Sequence, residues 1–126
     1  MAKILLVDDS ATIRSVIRKA LEPASHMVME AVDGADGLVK LGEFSPDIIM
    51  TDINMPNIDG LTFSQRVKEN DSWKKIPIVV ISTEASPEMK AKGKEIGVAA
   101  WMIKPPNPAK LLEAIEKLMA MQAAKG

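Results

Sequence analysis

Five short apolar runs punctuate the chain: Lys3 to Val7 (KILLV), Met27 to Val32 (MVMEAV), Asp47 to Thr51 (DIIMT), Ile78 to Ile81 (IVVI) and Ala99 to Ile103 (AAWMI). Most are continuous rather than alternating, the pattern of strands covered on both faces of a parallel sheet. Stretches of helical period separate them. Ser10 is placed to cap a helix whose apolar set, Ile13, Val16, Ile17, Ala20 and Leu21, recurs at three- and four-residue spacing and ends before Pro23. Asn107-Pro108 opens the last helix, with Leu111, Leu112, Ile115, Leu118 and Met119 on one stripe. Ser86-Pro87 repeats that start signal. Only Met89, Gly93 and Ile96 share a face beyond it, so this helix is expected to be loosely held. Segments Ala35 to Glu43 and Leu61 to Asn70 complete five helices. Such alternation predicts one α/β unit over residues 1–126, a doubly wound parallel sheet of five strands flanked by five helices.

Composition bounds what this unit can do. Its 126 residues are 47% hydrophobic and 26% charged, enough to close a core, and the absence of cysteine excludes disulfides, thiolate zinc sites and a cysteine nucleophile. The opening MAKILLVDDS is too short in apolar residues for a signal peptide or a membrane span, so a soluble, cytoplasmic protein is expected. Net charge is -1, unevenly spread: residues 1–60 carry five basic and ten acidic side chains, and residues 84–126 seven and five. That is no nucleic-acid footprint, which needs a concentrated basic patch.

In open α/β sheets the working site lies beyond the carboxyl ends of the strands. Those ends carry Asp8 and Asp9, Asp52, Ser82 and Lys104. Singly, each reads as a turn, cap or surface residue. Together they form a chemically complete set. Two carboxylates about 4 Å apart repel by roughly 4 kcal/mol at an effective dielectric of 20, so a counter-charge is required. Mg²⁺ suits an all-oxygen donor set and leaves positions for phosphoryl oxygens. A lysine ammonium and a serine hydroxyl complement a phosphoryl group, and an aspartate can accept one covalently, which makes Asp52 the candidate nucleophile.

The motifs ILLVDDS (4–10), EAVDGADGL (30–38), PDIIMTDINMPNIDGL (46–61), PIVVIST (77–83) and Lys104-Pro105 resemble those of the receiver domains of two-component response regulators, most closely the single-domain chemotaxis type. The resemblance implies the flavodoxin-like strand order 2-1-3-4-5, which general fold rules already associate with this class. It implies phosphorylation of Asp52 by a histidine kinase, and Mg²⁺ held by Asp9, Asp52 and the Asn54 carbonyl, with Asp8 acting through metal-bound water. It further implies Ser82 and Lys104 on the phosphoryl group, a cis Lys104–Pro105 peptide, and self-hydrolysis tuned by Asn54 and Glu84. Ser82 and Trp101 would form the conformational switch. A monomer is expected, signalling through phosphorylation-dependent binding to a protein such as a flagellar motor switch component or a phosphatase.

Two positions depart from the family pattern. Trp101 stands where Tyr or another aromatic is common, and Pro106 follows Lys104-Pro105 where Phe is frequent. A phosphorelay intermediate or phosphate sink is an alternative role. A haloacid-dehalogenase-type phosphatase would need a second Asp two positions after the nucleophile, where this chain has Asn54. A dinucleotide or flavin site would need a glycine-rich cradle in place of DDSATIRS. His26 and Trp73 read as structural, the scattered methionines as core filling, and Lys90, Lys92 and Lys94 as a solvated face or a contact for an acidic peptide.

Overall fold

The computed structural model describes residues 1–125. Strands β1 (Lys3–Val7), β2 (Met27–Ala31), β3 (Ile48–Thr51), β4 (Ile78–Ser82) and β5 (Ala100–Ile103) alternate with helices α1 (Ala11–Leu21), α2 (Gly34–Glu43), α3 (Gly60–Lys68), α4 (Pro87–Ile96) and α5 (Pro108–Lys125). All strand pairs are parallel, in the order β2-β1-β3-β4-β5. This is the expected doubly wound sheet. The pleat divides the core into two layers: Ile4, Leu6, Ile48, Met50, Val79 and Ile81 meet α1 and α5, and Leu5, Val7, Ile49 and Ile78 meet α2 and α3.

Local signals fix where the helices begin. The Ser10 hydroxyl accepts from the Ile13 N–H, Asp33 from Asp36, Asp59 from Thr62, Ser86 from Met89 and Asn107 from Lys110. Each helix begins at the residue after its cap. One expectation on α1 fails. Val16 is exposed, because it lies about 100° around the helix from Ile17, the centre of the buried stripe, and only Ile17 and Leu21 are fully buried. The helix ends at Leu21, before Pro23 as expected, and Pro23 sits inside a short 3-10 turn, Glu22–Ala24, that leads toward β2.

The structural readings of His26 and Trp73 hold. His26 accepts the Ala2 N–H through Nδ1 at 3.0 Å, tying the β2 approach to the chain start, and Trp73 packs half-buried against the α2–α3 layer. The methionines are core filling only in part: Met50 is fully buried and Met29, Met55, Met102 and Met119 pack around the core, but Met1, Met27 and Met121 are exposed. Helix α4 buries only Gly93.

Candidate functional site

Strand order reverses beside β1, whose neighbours β2 and β3 have crossovers on opposite faces, so the end of β1 and the end of β3 open a crevice. Backbone pairing carries the two chains out together: the Asp52 N–H donates to the Val7 carbonyl at 3.0 Å, and the Asp8 N–H to that of Ala31 at 3.0 Å. Asp8 and Asp52 are buried and Asp9 is exposed, and each offers a carboxylate oxygen within 4.8 Å of the others. Gly60 makes room for this. A Cβ there would lie 1.9 Å from the Asp52 carbonyl oxygen, so only glycine lets α3 start against the backbone of the acidic residue.

Lys104 arrives from the end of β5 and places Nζ 2.8 Å from Asp8 Oδ2 and 3.0 Å from Asp52 Oδ2. Its peptide to Pro105 is cis. The second oxygens are also engaged: Asp8 Oδ1 accepts the Ser10 N–H at 2.8 Å, and Asp52 Oδ1 the Ile53 N–H at 2.7 Å. One ammonium thus serves two buried carboxylates. Burial holds the Asp8 carboxyl above the usual carboxylate range, against the opposing pull of Lys104 and the Ser10 N–H. Burial disfavours the Lys104 ammonium, but its hydrogen bonds to Asp8 and Asp52 outweigh that and hold it above the ordinary lysine value. The cluster is undercompensated, which is the electrostatic condition for attracting a cation.

The donor set fits Mg²⁺. Three carboxylates supply hard oxygen ligands that lie within 4.8 Å of one another, and Asp9 faces solvent as an entry point.

Ser82 is fully buried at the end of β4, where its Oγ accepts the Glu84 N–H at 3.1 Å and its carbonyl accepts the Lys104 N–H at 3.1 Å. Glu84 is a junction. Its carboxylate accepts a long 3.5 Å hydrogen bond from Asn54 Nδ2, and its carbonyl accepts the Trp101 indole N–H at 2.8 Å. The five strand-end side chains therefore share one edge of the sheet, with Asn54 and Glu84 facing each other beside it and Trp101 tied to their loop.

Sequence reasoning gave no role at the site to three residues here. Gly93 on α4 seats Trp101: a Cβ at 93 would lie 2.9 Å from the indole Cζ3. Arg14 and Glu30 form a second polar layer, with Arg14 Nη1 2.6 Å from the Asp8 carbonyl and Arg14 Nε 2.8 Å from Glu30 Oε1. The available signal was Arg14 falling one turn after Ser10 on the capped helix, and the single charged residue in the β2 run.

A doubly wound sheet with an acidic triplet and a bridging lysine at its carboxyl edge defines a phosphoacceptor-type receiver architecture, and the sequence matches the response regulator receiver domain family over residues 4–116. The chain belongs to that family, a signalling class and not one of classical enzymes. Its likeness runs to chemotaxis and motility regulators. It is 39% identical to the Vibrio cholerae chemotaxis protein CheY4, with a TM-score of 0.88 over 94% of this chain and 98% of that one. It is 35% identical over 114 residues to Protein PilG of Pseudomonas aeruginosa, covering 90% of this chain and 84% of PilG. It is also 31% identical over 121 residues to the sensor histidine kinase CheAY of Helicobacter pylori, covering 94% of this chain but only 15% of the length of that relative. Among the described residues, no helix is long and apolar enough to cross a membrane.

Proposed function

We propose that residues 1–126 act as one receiver domain in which Asp52 takes a phosphoryl group from a phosphohistidine of a sensor kinase. The observation that carries this reading is the Lys104 ammonium lying between Asp8 and Asp52, within a triplet of carboxylates at the sheet edge. Mg²⁺, held by Asp9, Asp52 and the Asn54 carbonyl with Asp8 behind them, would supply charge neutralisation for the phosphoryl oxygens when bound.

An Asp52 carboxylate oxygen attacks phosphorus as the bond to the donor imidazole nitrogen breaks, and the electron pair of that bond leaves with the imidazole. Lys104 then exchanges a carboxylate partner for a phosphoryl oxygen, and the Ser82 hydroxyl donates to another. Because Ser82 already accepts the Glu84 N–H, its reorientation acts directly on the β4–α4 loop. Hydrolysis of the acyl phosphate needs water to reach phosphorus past Asn54 and Glu84, whose polar, open pairing supports a short-lived signal. The added charge, about -1.5 to -2, biases the loop and the β5 face toward binding a partner protein. Relatives named for chemotaxis and gliding motility support a motility partner, such as a motor switch component, with kinase and phosphatase as the other contacts.

The test is intact mass after incubation with Mg²⁺ and acetyl phosphate, with Asp52→Asn as control. One phosphoryl group is expected, dependent on both Mg²⁺ and Asp52, and Lys104→Ala should slow its gain by about 10²-fold or more. Modification that persists in Asp52→Asn would overturn the assignment. Repeated turnover of phosphate esters would favour a phosphatase instead.

A further inference from the structure

Behind the acidic cluster lies the layer of charge that the phosphoryl chemistry above does not use. Arg14, on the first turns of α1, is largely buried and reaches in two directions. Its Nη1 donates to the Asp8 carbonyl at 2.6 Å, and its Nε donates to Glu30 Oε1 on β2 at 2.8 Å. Arg18, one turn further along α1, pairs with the other Glu30 oxygen and with Glu22 at 2.9 Å. Two cations are thereby matched by two anions.

The Asp8 carbonyl belongs to the peptide that joins Asp8 to Asp9, so the bond from Arg14 falls on the backbone between two of the three clustered carboxylates. Asp8 is held independently at its N–H by Ala31 and at its side chain by Ser10 and Lys104. Asp9 has no such side-chain tether among the bonds of the described residues, and it is exposed. We propose that Arg14 is a positioning residue for cation binding: it fixes the Asp8–Asp9 peptide so that the Asp9 carboxylate converges with Asp8 and Asp52, while Glu30 neutralises its charge. Glu30 is needed because a bare guanidinium beside a cation site would repel the cation.

This rests on the cation reading given under Proposed function, and it makes a prediction of unusual sign. By field alone, removing a positive charge near a cation site tightens binding. By positioning, removing Arg14 loosens it. The experiment titrates the protein with Mn²⁺ alone and follows the free ion by electron paramagnetic resonance, at low and at moderate salt. Arg14→Ala is expected to weaken Mn²⁺ binding about tenfold at both salts, and Arg14→Lys, which keeps one donor but not the fork, to recover part of that. Glu30→Gln keeps the carbonyl bond but unmasks the charge, and should weaken binding several-fold at low salt and less at moderate salt.

Unchanged or tighter binding in a folded Arg14→Ala protein overturns the inference. If that variant does not fold by circular dichroism, Arg14→Lys decides: it keeps the charge and loses the fork, so weaker Mn²⁺ binding at both salts supports positioning, and binding equal to the parent overturns it. Asp9→Asn separates the two readings. Loss of Mn²⁺ binding in Asp9→Asn with no loss in Arg14→Ala leaves the cation site standing and removes Arg14 from it. Absence of Mn²⁺ binding in the unaltered protein, or binding undiminished in Asp9→Asn, overturns the cation reading and this inference with it.

Discussion

Trp101 fills its position by a fit that depends on one missing methyl group. The indole is larger than the phenol common at that place in the family, and the space for it comes from Gly93, where a Cβ would stand 2.9 Å from Cζ3. Replacing Gly93 by Ala should therefore displace the ring and break its 2.8 Å bond to the Glu84 carbonyl. Alanine favours a helix over glycine by about 1 kcal/mol, so stability should hardly fall while the local geometry changes. In a Trp73→Phe background, Gly93→Ala is expected to red-shift Trp101 emission and to alter the lifetime of the Asp52 phosphoryl group, read by loss of the modified mass with time. Unchanged emission would mean that the ring does not depend on the Gly93 seat. None of this was visible in the sequence, where Gly93 counted only as a weak member of a helical face; the contact arises because β5 runs beside α4.

Helix α4 is the element whose weakness matters most. It has a good start, with the Ser86 hydroxyl on the Met89 N–H and Pro87 at the first position, and a glycine stop at Gly97, φ 106°. It buries a single residue, so its stability comes from its ends more than from packing. Ser86→Ala should cost about 1 kcal/mol of helix stability and raise amide exchange across Pro87–Ile96 well before other helices respond. Measured exchange that rises equally in α1 and α5 would contradict that. The sequence predicts a loosely held helix from its sparse apolar face, and the packing agrees with the sparse face, since a helix that lacks apolar spacing has little to bury. On α1 the same method placed Val16 too generously: periodicity marks a stripe, but the packing of α1 on the sheet decides how wide the stripe is.

At the scale of the molecule, His26, Glu30 and Asp8 each shape the acid response. His26 is held below its ordinary 6.5, first by burial and then by the nearby N-terminal charge, and its Nδ1 must stay unprotonated to accept the Ala2 N–H. A proton is thus taken more readily by the unfolded chain. Stability should fall as pH drops through and below about 6.5, and His26→Asn, which keeps an acceptor, should flatten that step. Glu30 is opposed by burial yet held below 4.5 by Arg18 and Arg14, so its contribution is present above 4.5 and lost as pH falls through its lower folded value. Asp8 works the other way. Its raised value means that its ionisation costs stability as pH rises above 3.8, which offsets part of what Glu30 contributes. Thermal melts between pH 7 and 4 check the order of these steps; a midpoint that does not move between pH 7 and 5 would remove His26 from the account.

What the sequence determined by itself was the periodicity and the local punctuation. Continuous apolar runs and caps at Ser10, Ser86 and Asn107 are properties of neighbouring residues, and they dictated the elements, their alternation and hence the edge of the sheet where Asp8, Asp9, Asp52, Ser82 and Lys104 would meet. Only the tertiary structure decided how those groups are shared. That a single ammonium serves both Asp8 and Asp52, that Trp101 answers to Gly93 and Glu84, and that Arg14 grips the Asp8 carbonyl against Glu30 all depend on distances between segments remote in the chain. Hydrophobic patterning is a local code. Electrostatic and steric pairing across elements is set by angstrom-scale geometry, which exists only once the sheet has closed and the helices have packed on it.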